Sequence, residues 1–239
     1  MLRIALALGL ALLAAPASAA SVDDLAIRST VQGSGRTIIF IHGWTCDETS
    51  WAAQVAAFDD DYRVVTLDLP GHGKSDSPSQ DKFSMALFAR AVEAVRAEVG
   101  ADKVVLVGHS MGAAVIRQYA LDYPAHVAGL VAVDGPLDMR PLAGFPGANQ
   151  PLTREVRSTL IDSMFVPATT PELRTQIKAV MLGTADATAA GAGTAMFDPV
   201  NQSDRVIDAQ ALSIYAGNPT WGPDTVSRAL LPNWSFEQF

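Results

Sequence analysis

Four short apolar runs place the strongest limit on the fold of this chain. They occupy residues 37–41, 62–68, 103–107 and 129–133. Each run is continuously hydrophobic rather than alternating, which is typical of strands covered on both faces in a parallel sheet. Helical patterns separate the runs. The order of strands and helices therefore predicts an α/β fold with right-handed crossovers.

The helical patterns are clearest on either side of the third apolar run. Apolar residues recur at three- and four-residue steps over residues 85–99, and Gly100 is a good C-terminal stop. Residues 111–121 predict another helix and residues 51–58 a shorter one. An edge strand is expected over residues 25–31, before the first strong run.

The pattern changes in the second half of the chain. From about residue 136 to 206 prolines punctuate short helical segments, such as 152–165 and 171–182, without a strong strand signal. Residues 184–194 are rich in Ala, Gly and Thr, and we expect this sequence to specify a local structure only loosely. We interpret 136–206 as a helical insertion over the carboxyl edge of the sheet, and we expect the strand rhythm to resume at residues 211–216.

Composition favours one globular domain, assigned to residues 20–239. The chain has 239 residues, of which 17 are Lys or Arg and 25 are Asp or Glu, a formal net charge of −8. Without a basic run, nucleic acid is a poor candidate partner. The single cysteine, Cys46, excludes an intramolecular disulfide and reads as a structural thiol.

Residues 1–19 have the pattern of an exported signal peptide. Arg3 supplies a positive end, an apolar stretch follows, and Ala17-Ser18-Ala19 is a small-residue cleavage site. The alternative, a transmembrane anchor, is disfavoured because the apolar run is short. We expect cleavage after Ala19, a secreted or periplasmic location, and no stable membrane anchor in the mature chain.

The most informative motif is Gly108-His109-Ser110-Met111-Gly112, between the third strand and a helix. A G-x-S-x-G sequence in this context predicts a sharp turn that exposes the serine side chain. Larger side chains in place of the glycines would collide with neighbouring backbone. The helix N-terminus behind Ser110 favours a developing negative charge, so Ser110 is the candidate nucleophile.

A second motif, His42-Gly43-Trp44, follows the first strand. The backbone N–H groups of Trp44 and Met111 are candidate donors to an oxyanion. The alternative is that His42-Gly43 only ends a strand and that Trp44 only packs. Residues 68–75 read as a loop-shaping segment, with no catalytic role expected for His72 or Lys74.

At these residues the chain resembles the α/β-hydrolase fold family. The resemblance rests on HGWT at 42–45, DLPGHGKSD at 68–76, GHSMG at 108–112 and VAVDG at 131–135. It spans about residues 25–216 and is nearest to small esterases, lactonases, cofactor-free haloperoxidase-like hydrolases and epoxide hydrolases. Relatives that open epoxides carry Asp at the nucleophile position, so Ser110 aligns this chain with members that cleave esters and lactones.

The resemblance implies attack of Ser110 on an acyl carbon, proton transfer to a histidine, and release of the acid by water. The family's acid usually follows the strand that is here 211–216, where this chain has no carboxylate. Some relatives take the acid from the end of the preceding strand, which points to Asp134, with Asp224 as second choice. The alternative for Asp134 is a turn-forming residue before Gly135.

The resemblance fails at the catalytic histidine. The family places it in a loop after one further strand, and this sequence stops at Phe239. We therefore expect the last strand and helix to be missing, leaving an uncovered sheet edge and a poorly activated Ser110. His109 is expected to point to the other side of the bend and His126 to lie at the opposite end of the sheet. His42 is the nearest conceivable substitute, and no histidine is carried over.

Three functions follow from these expectations. The first is hydrolysis of a small-molecule ester or lactone. The second is non-catalytic binding by a protein that keeps the pocket, and the third is a cofactor-free haloperoxidase-like activity. No cofactor or metal is expected, and the oligomeric state is open. Met164, Phe165, Met181, Met196 and Phe197 of the insertion either line an apolar pocket or pack onto the sheet.

Overall fold

The architecture comes from a computed structural model. It describes residues 20–137, residue 140, and residues 153–216 and 228–239. The predicted signal peptide, Asp224 and part of the insertion lie outside the described residues.

A seven-stranded sheet forms the centre of the described structure, in the order β3-β5-β4-β6-β7-β8-β9. All its neighbouring strands are parallel except β3, which runs antiparallel to β5. Its strands are β3 (Ser29–Gln32), β4 (Thr37–Ile41), β5 (Arg63–Leu67), β6 (Val104–His109), β7 (Val127–Val133), β8 (Ala211–Tyr215) and β9 (Trp234–Gln238). A hairpin of β1 (Ala20–Val22) and β2 (Leu25–Ile27) forms a separate two-stranded sheet. The predicted α/β class and the four strong strands are confirmed.

The single edge strand predicted over residues 25–31 is wrong in detail, because the segment divides into β2 and β3. Two side chains bind the backbone here. Ala26 N, within β2, donates to Asp76 Oδ2 over 2.9 Å, and Arg28 N, between β2 and β3, donates to Ser75 Oγ over 2.8 Å. These contacts from a distant loop hold the chain where the two strands separate.

Helices cover both faces of the sheet. They are α1 (Ala52–Phe58), α2 (Met85–Glu98) and α3 (Met111–Asp122), as the periodicity predicts. Alternate residues of β4 divide between two cores: Ile39 and Ile41 lie in the larger one with α2 and α3, whereas Phe40 lies in a smaller one with Trp51 and Val55 beside α1. This division explains why all five residues of β4 are buried.

Three further α-helices lie between β7 and β8 in the described residues. They are α4 (Arg154–Met164), α5 (Pro171–Gly183) and α6 (Asp186–Met196). The first two confirm the predicted helical segments. Among the described helices, none has the length and apolarity that a membrane crossing requires.

The reading of residues 184–194 as loosely specified is wrong, since α6 covers most of them. Its small side chains let the helix lie close to its neighbours: a Cβ on Gly191 would come within 2.3 Å of the Phe83 ring. Ala189 and Ala192 are fully buried. The low side-chain volume that obscured the sequence pattern is therefore what permits close packing.

The expected absence of a further strand is also wrong. Residues 234–238 form β9, paired in parallel with β8 over five residues. Only Trp234 is buried there, and apolar and polar residues alternate, so the segment lacks the continuous hydrophobicity of the central strands. The sheet therefore extends one strand beyond the expectation, and Phe239 directly follows β9.

Trp234 anchors this strand, and its replacement tests the pairing. Its ring is 4% exposed, its Nε1 donates to Ser213 Oγ over 2.9 Å, and the Arg228 guanidinium lies 4.9 Å from the ring centroid. We expect Trp234→Ala to lower the free energy of unfolding in urea by about 3–5 kcal/mol. Glu237→Ala, at an exposed position on the same strand, is the control and should cost under about 1 kcal/mol. Equal losses would contradict the strand pairing.

Candidate active site

Ser110 occupies a strained turn at the carboxyl end of β6. Its backbone angles are φ 52° and ψ −116°, a region that residues with a Cβ rarely adopt. Ser110 N donates to Val133 O over 3.0 Å, and Ala113 N donates to Ser110 O over 2.9 Å. The turn predicted from G-x-S-x-G is therefore present, while the role of Ser110 as nucleophile stays a prediction.

Glycines make this turn possible because backbone groups approach one another closely. A Cβ on Gly108 would lie 2.2 Å from Gly112 O, and one on Gly112 would lie 2.4 Å from Ile41 O. Sequence reasoning did not foresee Gly135 as part of the same contact, where a Cβ would lie 2.5 Å from Ser110 O. Its signal was only its position after Asp134 at a strand end.

The segment after β4 lies beside Ser110. A Cβ on Gly43 would come within 3.3 Å of the Ser110 Cβ. Thr45 has a positive φ of 58°, so the chain turns sharply just beyond Trp44. The Trp44 ring is buried and its Nε1 donates to Ala189 O over 2.8 Å. The Trp44 side chain thus packs in the main core and also makes a hydrogen bond to the insertion. The roles of the Trp44 and Met111 N–H groups as donors to an oxyanion stay predictions.

Asp134 lies on the strand next to that of Ser110. It follows β7 directly, has a φ of 45°, and its N–H donates to Ile214 O over 2.8 Å. Its charge acts on the His109 imidazole: burial lowers the pKa of His109, and Asp134 opposes that shift. Asp134 therefore fits both interpretations. Its positive φ suits a turn-forming residue, and its carboxylate, which acts on His109, suits a catalytic acid. Asp224 lies outside the described residues.

His42 is held by hydrogen bonds at both ring nitrogens. Leu69 N donates to Nε2 over 3.0 Å, so Nδ1 carries the proton and donates to Gly43 O over 2.8 Å. Burial lowers the pKa of His42 to about 4. Because neither nitrogen is available, His42 is a structural tie between two loops rather than a base for Ser110.

His109 and His126 make their described contacts with other residues. The His109 ring makes an edge contact with Trp51, 6.4 Å between centroids, on the α1 side of the sheet. His126 lies just before β7, at the opposite end of the sheet, where Nδ1 is 3.1 Å from Glu93. Within the described part of the chain, Ser110 shares no hydrogen bond with a histidine. The expectation that the usual catalytic histidine has no counterpart here stays a prediction.

Hydrogen bonds fix the shape of the loop over residues 68–75, and the expectation that His72 and Lys74 have no catalytic role stays a prediction. The buried Asp68 carboxylate accepts from Glu48 N and Lys74 N, both over 2.8 Å. Gly73 has a φ of 52°, and a Cβ there would lie 2.2 Å from Asp68 Cγ. His72 donates through Nδ1 to Pro70 O over 3.1 Å, while its buried Nε2 has no partner.

Other sequence candidates take structural positions. Cys46 is half-buried, and burial raises the pKa of its thiol to about 11, which makes it a poor nucleophile at neutral pH. Met181 is buried in the main core, and Phe165 and Met196 are partly buried against that core. Met164 is 53% exposed. In the described ranges no group of three or more His, Cys, Asp or Glu is placed to hold a metal.

Comparison with known proteins places the chain in a family. The sequence model of the alpha/beta hydrolase fold matches residues 36–157, just over half of the chain. The chain therefore belongs to the α/β-hydrolase fold family, as the motifs predict.

A curated protein is similar to part of the chain at the level of sequence. It is the dihydrolipoyllysine-residue acetyltransferase component of the acetoin cleaving system of Cupriavidus necator, 39% identical over 115 residues. The match covers 48% of this chain and 30% of that protein. The chain thus spans about a third of the length of that relative.

Solved structures share the fold. A thermophilic esterase from Thermogutta terrifontis has a TM-score of 0.77 at 22% identity, covering 90% of this chain and 85% of that one. The enol-lactonase from Burkholderia xenovorans LB400 has a TM-score of 0.75 at 19% identity, covering 92% and 90%. At 22% and 19% identity, the likeness to these two structures shows a shared fold alone.

The buried histidine pair predicts a loss of stability in mild acid. The His42 and His72 rings lie 5.0 Å apart, and burial lowers the pKa of His72 to about 3. As the pH is lowered from 7 to 5, the unfolded chain takes up protons at these two histidines and the folded chain does not. The free energy of unfolding therefore falls as the pH is lowered. Each such histidine contributes about 2 kcal/mol to that fall.

His72→Asn keeps a donor near the Nδ1 position but removes the titration. We expect urea unfolding of the variant to show a fall between pH 7 and pH 5 that is smaller than wild type by about 2 kcal/mol. Comparing each protein with itself at two pH values removes the constant cost of the smaller side chain. An unchanged fall would show that His72 takes up protons equally in the folded and unfolded states, so that burial does not lower its pKa.

Proposed function

We propose that this chain is a hydrolase that cleaves a small-molecule carboxylic ester or lactone through an acyl-enzyme on Ser110. The observation that carries the proposal is the strained Ser110 at the carboxyl edge of the parallel sheet, between the segment after β4 and Asp134. Membership of the family and the esterase and lactonase structures with the same architecture support it.

The proposed reaction has two steps. Ser110 Oγ attacks the acyl carbon and loses its proton to a base, while the N–H groups of Trp44 and Met111 hold the oxyanion. The alcohol or ring oxygen leaves with a proton, and an ester to Ser110 remains. Water then attacks that ester, which releases the acid and restores the hydroxyl.

We expect the rate of acylation in the 239-residue chain to be limited by the proton acceptor for Ser110. His42 uses both ring nitrogens, and His126 lies at the far end of the sheet. An unactivated serine still benefits from oxyanion binding, which leaves about 10³–10⁴-fold catalysis over water when a member of a catalytic triad is removed. We therefore propose slow acylation that an added base accelerates.

Reaction with a fluorophosphonate probe tests both parts of this proposal. We expect slow labelling of the purified chain, accelerated at least about tenfold by added imidazole, because free imidazole supplies the missing proton acceptor. Ser110→Ala should abolish labelling with and without imidazole. Ser163→Ala is the matched control and should label like wild type, since that hydroxyl donates to the Leu160 carbonyl of its own helix over 2.7 Å.

Two results would change the proposal. Rapid labelling without imidazole, lost in Ser110→Ala, would mean that a group of this chain already serves as base. His109→Ala would then show whether that group is the neighbouring imidazole. Absence of labelling under every condition would overturn the enzyme proposal and favour a non-catalytic small-molecule binding protein, the alternative that the occupied His42 nitrogens support.

We further propose that the protein is exported and cleaved after Ala19, on the pattern of residues 1–19. Expressed in an export-competent bacterium, the protein outside the cytoplasm should have a mass that begins at Ala20. Ala19→Arg should remain uncleaved, because the processing site requires a small residue. A full-length cytoplasmic product from the unaltered sequence would contradict export.

A further inference from the structure

The insertion is bonded directly to the segment that holds the proposed oxyanion donor. Two hydrogen bonds cross from it: Trp44 Nε1 donates to Ala189 O over 2.8 Å, and Thr184 Oγ1 donates to Thr45 O over 2.9 Å. The partners are 145 and 139 residues apart in sequence. Both bonds are part of long-range packing rather than local turn geometry.

The segment they bind has an unusual backbone. Thr45 is fully buried with a φ of 58°, which residues with a branched Cβ seldom adopt. Its hydroxyl donates to Trp44 O over 2.7 Å, inside the segment. Such a conformation persists only where its surroundings hold it, and Thr184 supplies a bond to its carbonyl from outside.

Thr184 is itself held by a buried cation. The Arg157 side chain of α4 is 0% exposed. Its Nη1 donates to Thr184 O over 3.1 Å, and its Nη2 pairs with Asp186 Oδ1 over 2.5 Å. The guanidinium thereby joins α4 to the α5–α6 turn and fixes the residue from which the Thr184 hydroxyl extends.

The geometry points to Thr184 as a positioning residue for catalysis: by binding the Thr45 carbonyl, it holds residues 43–46 in the conformation in which the Trp44 N–H, in the preceding Gly43–Trp44 peptide, faces the oxyanion. This inference rests on the proposed function of Ser110 and Trp44. It assigns the insertion a second task besides covering the site, because the α5–α6 turn sets the direction of a backbone donor. Loss of one oxyanion donor costs about 10²–10³-fold in rate, so partial misalignment should cost about tenfold.

Thr184→Val is the informative change, since it removes the hydroxyl and keeps the shape. We expect the limiting rate of probe labelling, measured with imidazole present, to fall about tenfold with little change in the probe concentration giving half that rate. Thr184→Ser restores the hydroxyl and should restore the rate. Thr175→Val is the control, because the Thr175 hydroxyl donates to Pro171 O of its own helix over 2.9 Å.

A purely structural role would give a different result. Partial unfolding lowers the fraction of chain that labels, whereas misalignment lowers the rate constant of a fully labelled population. Equal rate constants for wild type and Thr184→Val would overturn the inference while leaving the proposed function intact. Arg157 is unsuited to this test, because removing a buried guanidinium that bonds a carboxylate risks unfolding the insertion.

Hydrogen exchange of the amides of residues 43–46 separates the two proposals. We expect faster exchange in Thr184→Val than in wild type and Thr184→Ser, whether or not the protein is active. Unchanged exchange would overturn the contact itself. An unreactive wild type would overturn the proposed function and the positioning role with it, and exchange would then still report whether Thr184 holds the segment.

Discussion

The close approach of α3 to the end of β4 is the constraint on which the site depends. A side chain at Gly112 would lie 2.4 Å from the Ile41 carbonyl oxygen, so the helix can begin here only with glycine at that position. The same proximity forces Ser110 into a positive φ and sets its peptide against Val133. Strain at one residue is thus stabilised by backbone packing on three strands.

Buried polar side chains secure the loops around this contact. Neutral His42 ties the end of β4 to Leu69, and the Asp68 carboxylate accepts two backbone N–H groups. These groups are deeply buried, so each must keep its protonation state and partners for the loops to hold. Residues that look catalytic in the sequence, such as His42, therefore serve the architecture.

The insertion is bonded directly to the segment after β4. Small residues on α6 bring its backbone close enough for the Ala189 carbonyl to accept from the Trp44 indole. Arg157 then fixes the turn that presents Thr184 to Thr45. A change in the position of α6 or of the turn before it would thus reach the segment that holds Trp44 through two hydrogen bonds.

The sequence by itself determined the four central strands, the helices that follow them and the turn at Ser110. The strands and helices follow from local hydrophobic patterns. The turn is indicated by a five-residue glycine motif, although part of the steric reason for it, the contact of Gly112 with Ile41, lies elsewhere in the chain. Tertiary structure decided the position of β9, the packing of α6, the task of His42 and the bonds to Trp44 and Thr45. The physical reason is that each depends on a partner remote in sequence, as with Trp44 and Ala189 at a separation of 145 residues. An alternating edge strand or an alanine-rich helix carries little signal until its neighbour is in place.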